Sequence, residues 1–303
     1  MLPRAVDAFR AFSSIIAGLR WAQNGKAPVL FFMHGMRAAP LSFVVEELIP
    51  MNLTGNTILI TGGGSGIGRG LAEELHKLGN QVVIAGRRKQ ALDETIAANP
   101  GMKSLTLDIE SPAAIRSFAA QVAAEFPSLN VLVNNAGTMR PEKLLAQPDG
   151  LADAEAIVAT NLLGPIRLTA ALLPLLQKQT AATIVNVSSG LAFVPMALTP
   201  TYCATKAAIH SYTQALRYQL KATSIEVLEL IPPYVATHLM DGAEDPRAMP
   251  LDKFIAEAMG ILKTQPTPHE ICVENVKGLR FAAESGKYDA IFQGLNAART
   301  DGN

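Results

Sequence analysis

An α/β fold with a doubly wound parallel sheet and helices on both faces is predicted by three observations. Short apolar runs alternate with segments of helical period from Met51 onward, and the first run enters a glycine-rich turn. Apolar residues make up 49% of the chain against 17% charged, which is ample material to cover both faces of a sheet. Asn56–Thr61 (NTILIT) is the first strand, and Ile67, Leu71, Leu75 and Leu78 follow at helical spacing until Gly79 stops them. Gln81–Ala85 (QVVIA) is the second strand, Lys89–Ala98 the next helix, and Asn99-Pro100-Gly101 a turn. Lys103–Leu107 gives a third strand. Ser111 before Pro112 reads as an N-cap with proline at the first helical position, and Ile115, Phe118, Val122 and Phe126 form that helix's buried stripe. Leu129–Val133, Thr183–Val187 and Ile225–Ile231 are further strands, separated by helices near 151–178 and 201–222. The segment after Lys287 reads poorly as a strand, so the last strand of the sheet has no clear place.

The 303 residues allow one large domain or two modest ones, and no repeat or low-complexity linker divides them. A single domain over residues 51–303 is expected. Residues 1–50 read differently: Arg4, Arg10 and Arg20 alternate with Val6, Phe9, Phe12, Ile15, Ile16 and Leu19, an Arg-rich amphipathic pattern with some transit-peptide character. The plainer expectation is a disordered or loosely attached N-terminal extension, because Met51 opens a segment that needs nothing before it.

Lys+Arg and Asp+Glu balance at 26 each with no basic run, which argues against nucleic acid or an anionic membrane surface as a partner. Cys203 and Cys272 cannot form a disulfide framework, and neither has a Cys or His nearby at zinc-ligand spacing. A reducing, cytoplasmic location and no structural metal are the corresponding expectations. The best candidate for a membrane span, Val29 to Ile49, is broken by His34, Arg37, Pro40 and Glu46, so no span is expected.

Thr61-Gly62-Gly63-Gly64-Ser65-Gly66-Ile67-Gly68 lies at the first strand-to-helix junction, spaced as T-G-x-x-x-G-x-G. Glycines there let backbone approach a pyrophosphate, and the helix that follows offers free N–H groups and a positive dipole end. In an alternating α/β chain this points to a dinucleotide-binding Rossmann fold. Such folds carry an acid after the second strand for a ribose 2′-hydroxyl, or an Arg for a 2′-phosphate. Here that place reads Ala85-Gly86-Arg87-Arg88. Arg87 therefore points to NADP, with Arg88 as a helper. Tyr202-Cys203-Ala204-Thr205-Lys206 sets a phenol and an amine four residues apart on one helix face. A nearby ammonium would lower a tyrosine pKa from about 10, and a phenol so tuned exchanges protons with an alcohol or carbonyl.

Together these residues resemble the short-chain dehydrogenase/reductase family, in its shorter single-domain branch, over about Met51 to Asn296. Thr61–Gly68 matches the glycine motif of that branch, Asn134-Asn135-Ala136-Gly137 its mid-sheet motif, and Tyr202/Lys206 its active-site pair. The resemblance implies Asn161, Ser189, Tyr202 and Lys206 as catalytic residues, with Ser189 preferred to its neighbour Ser188. It implies Gly62, Ser65, Gly66, Ile67, Gly68, Arg87, Asp108, Asn135, Ala136, Gly137, Tyr202, Lys206 and Thr237 as cofactor contacts, Asp108 on the adenine side. One departure is Pro232-Pro233, where the family has Pro-Gly: the second proline removes a backbone donor and changes the local turn. That double proline and the ending Tyr288–Phe292 are similar to the DltE-like branch.

The resemblance further implies NADPH-dependent hydride transfer to a carbonyl held by Ser189 and Tyr202, with Tyr202 giving the proton and Lys206, supported by Asn161, resupplying it. The reverse oxidation of an alcohol uses the same groups. Apolar Leu191–Pro200 and the stretch around Met240, Met249 and Phe254 suggest a mostly hydrophobic small molecule as substrate, with His238 as a further contact. A non-catalytic NADP-binding sensor is the alternative, and it would be expected to lack one of the four catalytic residues. Apolar positions beyond what one sheet face needs, on the helices near 151–178 and 201–222, suggest a homodimer or homotetramer.

Overall fold

The computed structural model describes residues 52–144, 151–240 and 245–297. The extension expected over residues 1–50 lies outside the described residues. Within them the chain alternates as the sequence predicts: β1 (Thr57–Thr61), α1 (Gly66–Lys77), β2 (Gln81–Gly86), α2 (Lys89–Ala98), β3 (Lys103–Thr106), α3 (Pro112–Glu125) and β4 (Leu129–Asn134). The second half continues with α4 (Ala152–Val158), a π-helical turn (Ala159–Leu163), α5 (Gly164–Leu176), β5 (Ala182–Val187), α6 (Pro200–Leu220) and β6 (Ile225–Ile231). It ends with α7 (Leu251–Leu262), β7 (Glu270–Cys272), α8 (Glu274–Arg280) and α9 (Tyr288–Ala297).

The seven strands form one sheet in the order β3-β2-β1-β4-β5-β6-β7, with every pairing parallel. Strand alternation divides the core in two. Ile58, Ile60, Val82 and Ile84 face the layer of α1, α2 and α7, where Leu71, Leu75, Leu92 and the fully buried Phe254 pack. Leu59, Val83 and Ala85 face the other layer, where Ile115, Phe118 and Val122 of α3 meet Leu168, Leu172 and Leu176 of α5. Each buried Val, Leu, Ile or Phe among them stabilises the fold by roughly 1.5–3 kcal/mol over its exposed state. The Ser111 hydroxyl accepts from the Ala114 amide at 3.2 Å, so Ser111 caps α3 as its sequence setting predicts.

The last strand is β7, a three-residue piece paired to β6, and the segment after Lys287 is the helix α9. Three residues are too few to show a period, whereas Ile291, Phe292 and Leu295 repeat at helical spacing. Ala152–Leu176 is one helical run of 25 residues, long and apolar enough by length and composition to cross a membrane. It carries Asp153, Glu155 and Arg167, and its leucines 168, 172, 175 and 176 are buried in the second core layer. The strand order reverses between β1 and β4, and in open α/β sheets that reversal opens a crevice beyond the carboxyl ends of the strands.

Candidate active site

The crevice is a cleft of about 480 Å³. Gly62, Ser65, Gly66, Ile67, Arg87, Arg88, Asn135, Ala136, Gly137, Ser189, Tyr202, Lys206 and Thr237 all line it. Backbone geometry explains the glycines at its floor. Gly62 has φ +69, a left-handed conformation that L side chains rarely adopt. A Cβ on Gly68 would stand 2.4 Å from Asn135 Nδ2 and 2.5 Å from the Gly62 carbonyl oxygen, so no larger residue fits. The first turn of α1 contains no acidic residue, which leaves its positive end unopposed. Asn135 fastens the floor: its amide donates to Thr61 Oγ1 at 3.0 Å and its Nδ2 to the Thr61 carbonyl at 2.9 Å. A glycine-rich turn at a helix N-terminus fits a dinucleotide pyrophosphate.

The end of the cleft that holds Ser189, Tyr202 and Lys206 is built by β5 and α6. Ser189 follows β5 at the head of a 3-10 turn, where its Oγ accepts from the Leu191 amide at 3.1 Å. Its hydroxyl also favours the ionised form of the Tyr202 phenol, which distinguishes it from Ser188, whose buried Oγ has no hydrogen-bond partner. Lys206 lies one turn along α6 from Tyr202, buried, its Nζ donating to the Val187 carbonyl at 2.8 Å and standing 5.6 Å from the centre of the tyrosine ring. Asn161 sits in the π-helical turn, a widened turn that often marks functional sites. Its Oδ1 accepts from the Thr138 amide and its Nδ2 donates to the Thr138 carbonyl, both at 2.8 Å. A Cβ on Gly137 would lie 3.5 Å from Asn161 Oδ1 and 3.7 Å from Lys206 Nζ, ordinary contact distances that place this mid-sheet glycine beside both the asparagine and the lysine.

One electrostatic expectation is reversed. Burial pushes the Tyr202 phenol up to about 12, and the Ser189 hydrogen bond opposes this only in part. The lysine amine is spent on Val187, and burial brings Lys206 itself down to about 8 against the favourable charge of Glu229. Helical spacing sets the two residues on one face but says nothing about their desolvation, which is the larger effect here.

Three further expectations change. Asp108 is exposed and lies outside the cleft lining, which takes Leu107 and Ile109 on either side of it; its Oδ1 accepts from the Glu110 amide at 3.1 Å. Met249 and Phe254 are core residues packed against the sheet and do not face the cleft, whereas Met240 and His238 do. Leu191 and Met196 are the cleft-lining part of the apolar loop, joined by Met139, Leu279 and Leu295 from distant segments that no local motif marks. Asn296 ties that loop to α9, accepting from the Ala197 amide at 2.6 Å and donating to the Pro195 carbonyl at 3.2 Å.

Sequence reasoning also missed a polar row beneath the site. Asn134, Asn186, Glu229 and Glu270 are register neighbours on four adjacent strands. Asn134 donates to Asn186 at 2.8 Å, Asn186 to Thr213 at 2.9 Å, and the fully buried Glu229 pairs with His210 at 2.8 Å. The signal was present as two glutamates, Glu226 and Glu229, in the otherwise apolar strand β6.

A glycine-floored dinucleotide cleft that ends at a Ser–Tyr–Lys constellation defines a nicotinamide-dependent oxidoreductase. Residues 56–248 match the family model of the short chain dehydrogenases, and the chain belongs to that family. It is an NAD(P)-dependent enzyme of that class. The chain is 39% identical over 251 residues to the "Uncharacterized oxidoreductase DltE" of Bacillus subtilis (strain 168), covering 81% of this chain and 98% of the relative. Among solved structures, a short-chain dehydrogenase from Sphingobium yanoikuyae in complex with NADPH superposes with a TM-score of 0.66 at 25% identity, covering 78% of this chain and 95% of the other. A 3-ketoacyl-(acyl-carrier-protein) reductase from Brucella melitensis complexed with NADH gives 0.65 at 27%, covering 73% and 96%.

Proposed function

We propose that residues 51–303 form one catalytic domain that interconverts a carbonyl compound and its alcohol with NADP(H), Tyr202 acting as the general acid/base. The convergence of Ser189, Tyr202 and Lys206 with the glycine turn on one cleft carries this reading. When bound, the nicotinamide supplies or accepts the hydride. The residues that would hold the cofactor are the Gly62–Gly68 turn, Arg87 and Arg88 at the adenosine end, Asn135–Gly137 in the middle, and Thr237 and Lys206 towards the nicotinamide. Ser189 and Tyr202 orient the substrate oxygen, and Tyr202 keeps its proton at neutral pH until negative charge develops there. Asn161 and Thr138 fix the floor beside Lys206. Leu191, Met196, Met139, Leu279 and Leu295 favour a largely apolar substrate. A panel of ketones, aldehydes and alcohols with each cofactor, followed at the nicotinamide absorbance band, tests the activity; no turnover on any of them would favour the sensor reading.

NADP over NAD is supported by Gly86, which leaves space where an acid would repel a 2′-phosphate, and by the two arginines after it. Arg88 donates to Ser65 Oγ at 3.1 Å, which brings a second guanidinium to the glycine turn where the motif itself has none. Charge-assisted hydrogen bonds of this kind are worth about 1.5–3 kcal/mol each, so a preference of roughly ten- to a hundredfold is expected. The double variant Gly86→Asp, Arg87→Leu should favour NADH. Steady-state kinetics with both cofactors decide this, and a double variant that still favours NADPH would make Arg87 a mere surface charge.

A homo-oligomer is part of the same reading. The sheet takes Leu168, Leu172, Leu175 and Leu176, while Leu163 on the same helical run and Tyr218 on α6 stay exposed. Light scattering at micromolar concentration should give a dimer or tetramer, and a monomer alone would refute it.

A further inference from the structure

The sequence offers no acid after β2, yet the fold delivers one from β3. Arg87 Nη1 meets Glu110 Oε1 at 2.7 Å, and the Thr160 hydroxyl donates to the same oxygen at 2.8 Å. The Glu110 backbone amide is in turn held by Asp108 Oδ1 at 3.1 Å. The adenosine end of the cleft thus sets Arg87 and Arg88 against Glu110 and Asp108, two charges of each sign.

We propose that Glu110 limits how strongly this enzyme discriminates NADPH from NADH, by engaging the Arg87 guanidinium and by standing as a fixed negative charge beside any phosphate that Arg87 binds. The proposal rests on the reading of Arg87 as the 2′-phosphate residue. An arginine has donors enough to serve two anions, so Arg87 can reach a phosphate without leaving Glu110. The carboxylate and the phosphate then lie on one guanidinium and repel each other. Glu110 cannot swing away cheaply, because Thr160 tethers it from the neighbouring helical run. The Arg87 side chain is 53% exposed and that of Glu110 29%, so this repulsion acts at a partly shielded edge where its effect is moderate. An unphosphorylated ribose feels little of it. Glu110 acts on selectivity rather than on dinucleotide binding as such.

The test is direct binding of NADPH and of NADH to the full chain, by fluorescence titration, for the wild type, Glu110→Gln, Glu110→Lys and Arg87→Leu. Glu110→Gln keeps the shape and an acceptor for Thr160 while removing the charge. It should raise the ratio Kd(NADH)/Kd(NADPH) by about three- to tenfold, or about 0.7–1.4 kcal/mol at 1.4 kcal/mol per decade, with the NADH constant unchanged within twofold. Glu110→Lys should raise the ratio further. A ratio unchanged or lowered in both Glu110 variants, while Arg87→Leu lowers it, would overturn the role of Glu110 and leave Arg87 standing. A ratio that Arg87→Leu does not move would remove the Arg87 reading itself. If Glu110→Gln melts out, the lysine variant decides by the same criterion.

Discussion

Replacement of Tyr202 by Phe is expected to lower turnover by about 10²–10⁴-fold while cofactor affinity and melting temperature stay close to wild type. The ring packs among Ile157, Met196 and Cys203, contacts that phenylalanine preserves. What disappears is one hydroxyl, the partner of Ser189 and the transferable proton of the site. Because burial holds the phenol up to about 12, the proton is present throughout the neutral range. The wild-type carbonyl reduction should therefore show no loss attributable to Tyr202 deprotonation below about pH 10. Initial rates on any carbonyl substrate found for the wild type, with an NADPH titration of the same sample, provide the check. Turnover within tenfold of wild type would remove Tyr202 from the mechanism.

Lys206→Met should also abolish turnover, but in a protein more stable than the wild type. An amine buried in this environment has its pKa brought down from 10.5 to about 8, so the folded state binds its proton less tightly than the unfolded state. At 1.36 kcal/mol per unit, keeping that lysine charged in the fold costs roughly 3 kcal/mol at neutral pH. The hydrogen bond to Val187 is already lost in the variant and offsets about 1 kcal/mol, leaving a gain of roughly 2 kcal/mol. The sign with pH follows from linkage. Below about pH 8 lysine is protonated in both states and the cost is fully present; between about 8 and 10.5 the folded state alone sheds its proton, and the cost fades. Thermal or denaturant unfolding should therefore show the variant ahead of wild type at pH 7 and the gap closing towards pH 10.5. A variant less stable than wild type at pH 7 would show that the lysine is structurally favourable where it lies.

Most of the fold was legible because each long element carries its own period. Residues 81–85, 89–98 and 225–231 declare strand or helix without outside help, and Ser111-Pro112 marks a helix start by local hydrogen bonding alone. β7 was not legible, because three residues bear no period and owe their strand to the free edge of β6. Within the site, the glycine turn and the Tyr202/Lys206 pair lie on contiguous residues, so spacing exposes them. Met139, Leu279 and Leu295 come from segments far apart in the chain, and nothing in their neighbourhoods separates a cleft wall from ordinary core.

The sequence by itself determined the parallel doubly wound sheet, the glycine-rich floor and the placing of Tyr202 and Lys206 on one helix face, because these depend on period, on the absence of side chains and on helical spacing. The tertiary structure alone decided the charges around them. Burial raised Tyr202 and lowered Lys206 where spacing predicted a lowered phenol. Strand order brought Glu110 to Arg87 across 23 residues and Glu229 to the underside of the lysine's helix. Desolvation and Coulomb energy depend on what surrounds a group in three dimensions, and a linear chain does not contain that distance until it is folded.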